Sequence, residues 1–182
     1  MMIRRAAALF LGATWILWGV AGARAAEPSK LRVEEKDTNG DGKPDEWRYY
    51  DGDTLVKAER DLDGDGKREV QIFFEKGKIS QSQVDRNKDG KPDFIRFYNS
   101  QGKIDRETGD RNFDGKRDIW TFYKDGVKDL TIMDKNFDGK PDAYFYYNKE
   151  GKIVGAVVDE NFDGKPDKTM GNVPDKEDRK PF

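Results

Sequence analysis

Residues 85–93 read DRNKDGKPD, and this stretch of nine residues decides how the chain is organised. It places Asp at positions 1, 5 and 9, Asn at position 3 and Gly at position 6. The pattern occurs six times, at spacings of 24, 24, 25, 24 and 25 residues, and the second copy has Asp at position 3 and Glu at position 9. The copies, numbered here as loops 1 to 6, begin at Asp37, Asp61, Asp85, Asp110, Asp134 and Asp159.

This spacing is typical of an oxygen cage for a hard cation. Calcium takes six to eight oxygen ligands at about 2.3–2.6 Å, and a tightly coiled loop can aim alternate side chains at one centre. Positions 1, 3, 5 and 9 offer side-chain oxygens, position 7 offers its backbone carbonyl, and Gly at position 6 permits a positive φ. The predicted metal ligands are Asp37, Asn39, Asp41, Lys43, Asp45, Asp61, Asp63, Asp65, Lys67, Glu69, Asp85, Asn87, Asp89, Lys91, Asp93, Asp110, Asn112, Asp114, Lys116, Asp118, Asp134, Asn136, Asp138, Lys140, Asp142, Asp159, Asn161, Asp163, Lys165 and Asp167.

A single stretch of this kind is equally consistent with an ordinary turn, because Asn, Asp and Gly all favour turns. Six copies in register, each with an acid at position 9, favour metal loops instead. The cofactor that we expect is therefore Ca²⁺.

The first nine positions resemble the calcium loops of EF-hands, dockerins and thrombospondin type 3 repeats. An EF-hand loop closes with a Glu at position 12, whereas this chain has Arg48, Ile72, Arg96, Thr121, Phe145 and Met170 there. The resemblance therefore implies calcium binding without a pair of helices, and the missing Glu predicts a dissociation constant of about 10⁻⁴–10⁻³ M. The loops are more similar to those of FG-GAP repeats, in which the acid at position 9 leads directly into a strand. FG-GAP repeats are much longer, so no propeller is implied.

Each loop precedes two segments that indicate a β-hairpin. An aromatic-rich segment, such as Trp47-Arg48-Tyr49-Tyr50, is followed by a Gly-containing turn and a second segment that begins with an apolar residue. Residues 98–104 and 147–153 weakly resemble the hairpins of YD repeats, which supports this interpretation. The sequence therefore predicts an all-β fold of tandem 24–25-residue hairpin repeats that form an elongated or rolled antiparallel sheet.

Aromatic residues recur at fixed positions of the predicted strands. Positions 11 and 13 share one face of a strand, and position 13 is aromatic in the first five repeats, at Tyr49, Phe73, Phe97, Phe122 and Tyr146. Position 14, on the opposite face, is aromatic as well, so we expect a sheet that rolls or folds over itself. Regularly spaced strand aromatics form a core more often than a platform for sugars.

The ends of the chain differ from the repeats. Residues 1–25 are typical of a secretory signal peptide, because Arg4 and Arg5 precede an apolar stretch and Ala23-Arg24-Ala25 offers a cleavage site. An uncleaved membrane anchor is the alternative. We expect a single repeat domain over residues 26–172, a disordered polar tail over residues 173–182, and export to the periplasm or the extracellular space.

Charge links the predicted loops to folding. Removal of the signal peptide takes three arginines from 34 basic residues and leaves 36 acidic ones, a net charge of −5. Nineteen of the acids occupy loop positions, and their mutual repulsion without metal predicts that folding depends on calcium. The Lys and Arg residues of the loops are expected to form a solvated face.

The chain contains no His and no Cys, which removes the usual catalytic base and thiol nucleophile. Six equivalent sites suit binding better than catalysis, so we expect a protein that is not an enzyme and has a structural or adhesive role in the cell envelope or extracellular space. The expected partners are calcium and an envelope polysaccharide or a surface protein; nucleic acid and a transmembrane segment after signal cleavage are not expected. The alternatives are a calcium-dependent glycan-binding protein that uses Trp47 and Trp120, and, less favoured, a carboxylate glycoside hydrolase.

Overall fold

The computed structural model describes residues 31–174, which form twelve β-strands and no helix. Within this range no helix is therefore long and apolar enough to cross a membrane. The predicted signal peptide and residues 175–182 of the predicted tail lie outside the described residues. The strands are β1 (Arg32–Lys36), β2 (Glu46–Asp51), β3 (Thr54–Arg60), β4 (Val70–Glu75), β5 (Lys78–Val84), β6 (Phe94–Tyr98), β7 (Ile104–Gly109), β8 (Ile119–Lys124), β9 (Val127–Met133), β10 (Ala143–Tyr147), β11 (Ile153–Val158) and β12 (Lys168–Gly171).

All twelve strands belong to one sheet, in which every neighbouring pair is antiparallel and the strand order equals the order in the chain. The first and last strands, β1 and β12, do not pair with each other, so the sheet is open. The predicted all-β fold of tandem hairpins is confirmed. Because the order is sequential, the six loops all lie along one end of the sheet, the loop end, and the five short turns lie along the opposite end.

The register aligns equivalent positions of successive repeats. Tyr49 pairs with Lys57, and Lys57 pairs with Phe73 in the next hairpin, so the position-13 aromatics form one row across the sheet. The Lys57 ammonium lies 5.5 Å from the centroid of the Tyr49 ring and 5.6 Å from that of Phe73. The predicted stripe is confirmed, and cationic side chains occupy some of the places between its rings.

Every hairpin contains a bulge that the sequence analysis did not predict. The register shifts between positions 13 and 14: Tyr49 pairs with Lys57 but Tyr50 pairs with Leu55, which leaves Val56 as the extra residue. The same shift occurs in the other four hairpins. Bulges increase the right-handed twist of a strand pair, so this sheet twists at regular intervals.

The most deeply buried side chains lie in the C-terminal half. Trp120, Leu130, Ile132 and Tyr146 form a cluster on one face, and Leu130 and Ile132 are 0% exposed. Val173 packs against this cluster, so the packed chain extends beyond the predicted boundary at residue 172. The sequence analysis assigns this valine to the polar tail. A second cluster, on the opposite face, contains Ala143, Ala156 and Val158.

Candidate metal-binding loops

Each loop is organised around the carboxylate at position 1. In all six loops this carboxylate accepts a hydrogen bond from the N–H of the position-6 glycine, at 2.7–2.8 Å. The six glycines have φ between 86° and 91°, as predicted, and a residue with a Cβ would be strained there. The positive φ turns the backbone N–H inward, towards the carboxylate.

The other predicted ligand positions repeat their hydrogen bonds as well. The position-5 carboxylate accepts the N–H of position 7 at 2.8–2.9 Å in all six loops. The position-9 carboxylate accepts the N–H of position 2 at 2.6–3.1 Å. The backbone N–H groups of each loop therefore hold the acids at positions 5 and 9 and orient them.

Several of these carboxyl groups favour the charged form. The N–H groups of Gly42 and Gly40 lower the pKa of Asp37 from its ordinary value. The N–H of Lys91 lowers the pKa of Asp89 in the same way, and that of Lys116 lowers the pKa of Asp114. Ionised carboxylates are the form that coordinates a metal ion.

Loop 2 brings its acids closest together. Asp61, Asp63, Asp65 and Glu69 each place one carboxylate oxygen within 4.8 Å of those of the other three. This is the one group of three or more carboxylates that meets this distance within residues 31–174. The other loops have Asn at position 3, and its amide nitrogen donates to the position-5 carboxylate at 3.2–3.5 Å. The group in loop 2 could hold a metal ion.

Three carboxylate oxygens in the loops are buried without a hydrogen-bond partner among the described atoms. They belong to Glu69 (Oε1), Asp85 (Oδ1) and Asp110 (Oδ1). A buried, charged oxygen that accepts no hydrogen bond is unfavourable, and a bound cation would compensate it. In loops 3 and 4, therefore, the position-1 carboxylate has an oxygen available as well as one that is held by glycine.

The residues at position 12 cannot contribute a carboxylate. They lie inside the even-numbered strands, β2 to β12, with Arg48 and Thr121 as examples. All six of these strands begin directly after the acid at position 9, as the resemblance to FG-GAP loops implies. The loops thus differ from EF-hand loops in the structure as well as in the sequence.

Several cationic side chains of the loops make specific contacts instead of forming a solvated face, and Lys88 and Arg111 are examples. Lys88, at position 4 of loop 3, contacts Asp63 and lies 2.7 Å from Asp65, both in loop 2. Asp63 and Asp65 raise the pKa of Lys88. Arg111, at position 2 of loop 4, pairs with Asp118 of the same loop and donates to the Asp134 carbonyl at 2.7 Å. Neither contact could be predicted from the sequence, because the repeat pattern does not show which side chains of one loop reach a neighbouring loop.

Position 4 has a further feature that the sequence did not reveal. Its residue has a positive φ in all six loops, although only loops 1 and 2 have glycine there. Lys88, Phe113, Phe137 and Phe162 have φ of 61–63°. This left-handed conformation is unfavourable for residues with a Cβ. The signal was present in the sequence, since glycine occupies the position twice.

The six loops form a continuous row. The N–H at position 1 of loops 2 to 6 donates to the carbonyl at position 9 of the preceding loop, at 2.7–3.0 Å. Successive loops are two strands apart, which corresponds to about 9–10 Å. Each loop is therefore linked to its neighbours through the backbone.

No protein-family model matches this chain, and the search of curated proteins found no match either.

Proposed function

We propose that this chain is an exported calcium-binding repeat protein with a structural or adhesive role in the cell envelope or extracellular space, and that it is not an enzyme. The observation that carries the proposal is the convergence of four carboxylates in loop 2 within 4.8 Å. The other loops repeat the same backbone hydrogen bonds around their acids, which extends the proposal to the full row.

Calcium would act on the loops as a structural ion. Carboxylates concentrated along the loop end repel one another, and a divalent ion in each loop replaces repulsion by coordination. Because adjacent loops share a backbone hydrogen bond, an ordered loop supports the strands on both sides of it. Calcium then stabilises the junctions between consecutive hairpins.

Calcium is favoured over magnesium by the number and kind of available ligands. The loops offer several carboxylate oxygens, Asn carbonyls and backbone carbonyls, which suit the larger and more flexible coordination sphere of calcium. Magnesium requires nearly octahedral geometry and retains its waters. Without a carboxylate at position 12, we expect dissociation constants of about 10⁻⁴–10⁻³ M.

The test is a calorimetric titration of calcium into the chelator-treated protein, with circular dichroism and the melting temperature followed in parallel. We expect five or six sites and a melting temperature that rises with calcium, because binding to the folded state stabilises it. Magnesium at the same concentration serves as the control and should raise the melting temperature less. If the sheet is folded and binds no calcium at millimolar concentration, the loops are ordinary turns and not metal sites.

Glycan binding through the tryptophans is not supported by the burial of these residues. Trp47 is 9% exposed and Trp120 is 6% exposed, so neither ring has a free face for a sugar. An adhesive role would use other surfaces, and co-sedimentation with insoluble polysaccharide, with and without calcium, tests it. A hydrolase is less favoured, because the acids are arranged equivalently in six loops.

A further inference from the structure

Loop 2 differs from the other five loops at two ligand positions. Position 3 is Asp63 where the others have Asn, and position 9 is Glu69 where the others have Asp. Loop 2 therefore holds four carboxylates and the others hold three. The additional negative charge makes loop 2 the loop with the greatest need for a cation.

The second difference is the donor that replaces the asparagine. In the other loops the Asn amide nitrogen donates to Oδ2 of the position-5 acid. Asp63 cannot donate when it is ionised. In loop 2 the corresponding oxygen, Asp65 Oδ2, accepts from Lys88 Nζ at 2.7 Å, and the same ammonium contacts Asp63 Oδ2. Lys88 thus supplies, from loop 3, a hydrogen bond that the other loops make internally.

The ammonium of Lys88 does not reach every carboxylate of loop 2, and Glu69 is the acid that it leaves without a hydrogen bond at one oxygen. Its side chain is 5% exposed, and its Oε2 accepts the N–H of Leu62 at 2.8 Å. Its Oε1 is buried and accepts no hydrogen bond among the described residues; Lys88 Nζ lies 3.8 Å away. That distance is too long for a hydrogen bond, whereas a calcium ion would approach such an oxygen to about 2.3–2.6 Å.

We propose that Lys88 is a resident cation of loop 2 that a divalent ion must displace in order to bind. The inference rests on the proposed function and concerns the regulation of one of its sites. The ammonium contacts the Oδ2 atoms of Asp63 and Asp65, whereas their Oδ1 atoms accept backbone N–H groups. A divalent ion bound to the same Oδ2 atoms would repel the ammonium strongly at this separation. Loop 2 therefore binds calcium more weakly than its four carboxylates alone would.

Displacement also links loop 2 to loop 3. Lys67 Nζ, at position 7 of loop 2, donates to the carbonyl of Lys88 at 3.1 Å, so the two lysines connect the loops in both directions. When the Lys88 side chain leaves loop 2, one of these two connections is lost. Calcium binding to loop 2 then changes the contact between neighbouring loops.

The position-6 glycines provide one reporter for each loop. The Gly66 N–H donates to Asp61 in loop 2, and the N–H groups of Gly42 and Gly90 donate to Asp37 and Asp85 in the flanking loops. Their amide resonances respond to the charge on the carboxylate they contact. A calcium titration of the ¹⁵N-labelled protein, followed at these amides, measures the affinity of each loop separately.

The decisive variant is Lys88→Gln. We expect Gly66 to report calcium binding at least roughly tenfold tighter than in the parent, because the variant removes two charge-assisted hydrogen bonds and the loss of one corresponds to about this change. Gly42 should report an affinity within about twofold of the parent. The matched control is Arg86→Gln, which removes the same charge from loop 3 where the guanidinium lies 5.5 Å from the Phe94 ring. It should leave the affinity at Gly66 within about twofold.

A second parent variant, Asp63→Asn, distinguishes displacement of Lys88 by the metal ion from a general effect of removing a positive charge. In Asp63→Asn, loop 2 regains the asparagine of the other loops and Lys88 loses one of its two carboxylate hydrogen bonds, so adding Lys88→Gln should then tighten binding much less. An unchanged or weaker affinity at Gly66 in Lys88→Gln, with normal binding at Gly42 and Gly90, overturns this inference alone. No response at any of the six glycines at millimolar calcium rejects the proposed function and the inference with it.

Discussion

The guanidinium carbon of Arg68 lies 4.2 Å from the centroid of the Trp47 ring. The two residues belong to adjacent repeats, since Trp47 lies in β2, the strand after loop 1, and Arg68 is at position 8 of loop 2. The same guanidinium donates to the Tyr49 hydroxyl at 2.8 Å and pairs with Glu59. Charged side chains therefore cover aromatic rings in the N-terminal half, where the large apolar residues of the C-terminal cluster are missing.

Replacement of this arginine should expose the ring. We expect Arg68→Met to lower the free energy of unfolding by about 1–2 kcal/mol, because the cation–π contact and the hydrogen bonds to Tyr49 and Glu59 are lost. The emission of Trp47 should shift to longer wavelength, as seen in the difference spectrum against the parent. Arg117→Met, at the same position of loop 4, is the matched control. Equal losses in the two variants would show that the contact with Trp47 contributes nothing specific.

The sequence predicted the hairpins because two independent signals agreed in each repeat. The aromatic segment after Asp45 indicated a strand, and Gly52 marked the turn that follows it. The acidic positions were likewise evident from their spacing, and the structure shows that their orientation comes from backbone N–H groups. The Val56 bulge could not be predicted, since an extra residue in one strand changes the pairing without altering the polarity pattern.

The cationic contacts were missed for a different reason. The separation of 25 residues between Asp63 and Lys88 becomes a contact only when adjacent loops stack at the same end of the sheet. The repeat pattern gives equivalent positions but not the direction of a side chain at position 4. The left-handed backbone at Lys88 contributes to that direction, and its one sign in the sequence is the glycine at position 4 of loops 1 and 2.

The backbone of Phe113 offers a stabilising substitution. Its φ is 61° and its side chain is 45% exposed, so the ring gains little from burial to offset the strain. Asn tolerates this conformation better, and Phe113→Asn should raise the free energy of unfolding by about 0.5–1 kcal/mol in urea denaturation. Phe137→Asn is the control, because its ring lies 5.3 Å from the Arg111 guanidinium and that contact is lost. A gain at Phe137 that equals the gain at Phe113 would contradict the argument.

The hydroxyl of Tyr123 should make stability depend on pH in the alkaline range. Burial, and then its hydrogen bond of 2.6 Å to Glu107, raise the pKa of Tyr123 above the ordinary value of 10.0. The unfolded chain therefore loses this proton at a lower pH than the folded protein does. Stability from this group is fully present below pH 10 and decreases as the pH rises above it.

The effect of Tyr123→Phe follows from the direction of this pKa shift. Between pH 9 and pH 11 the free energy of unfolding should decrease less in the variant than in the parent. The difference should not exceed about 1.4 kcal/mol, because pH 11 lies about one pH unit above the pKa of this tyrosine in the unfolded chain. Urea denaturation in the presence of a chelator measures it. Identical pH profiles for the two proteins would show that the folded state releases this proton as readily as the unfolded chain.

The hydroxyl groups of Thr121 and Thr131 form a buried pair across two strands. The residues are directly opposite each other in β8 and β9, and their oxygens are 3.2 Å apart. Thr121→Val removes one partner and leaves the other hydroxyl buried without a hydrogen bond, so we expect a loss of about 1–2 kcal/mol in the free energy of unfolding. The double variant with Thr131→Val replaces both hydroxyls by methyl groups and suits a strand, so it should recover most of this loss. Denaturation of the parent, both single variants and the double variant gives the coupling energy. Additive losses would mean that each hydroxyl has another partner and that the pair does not act as a unit.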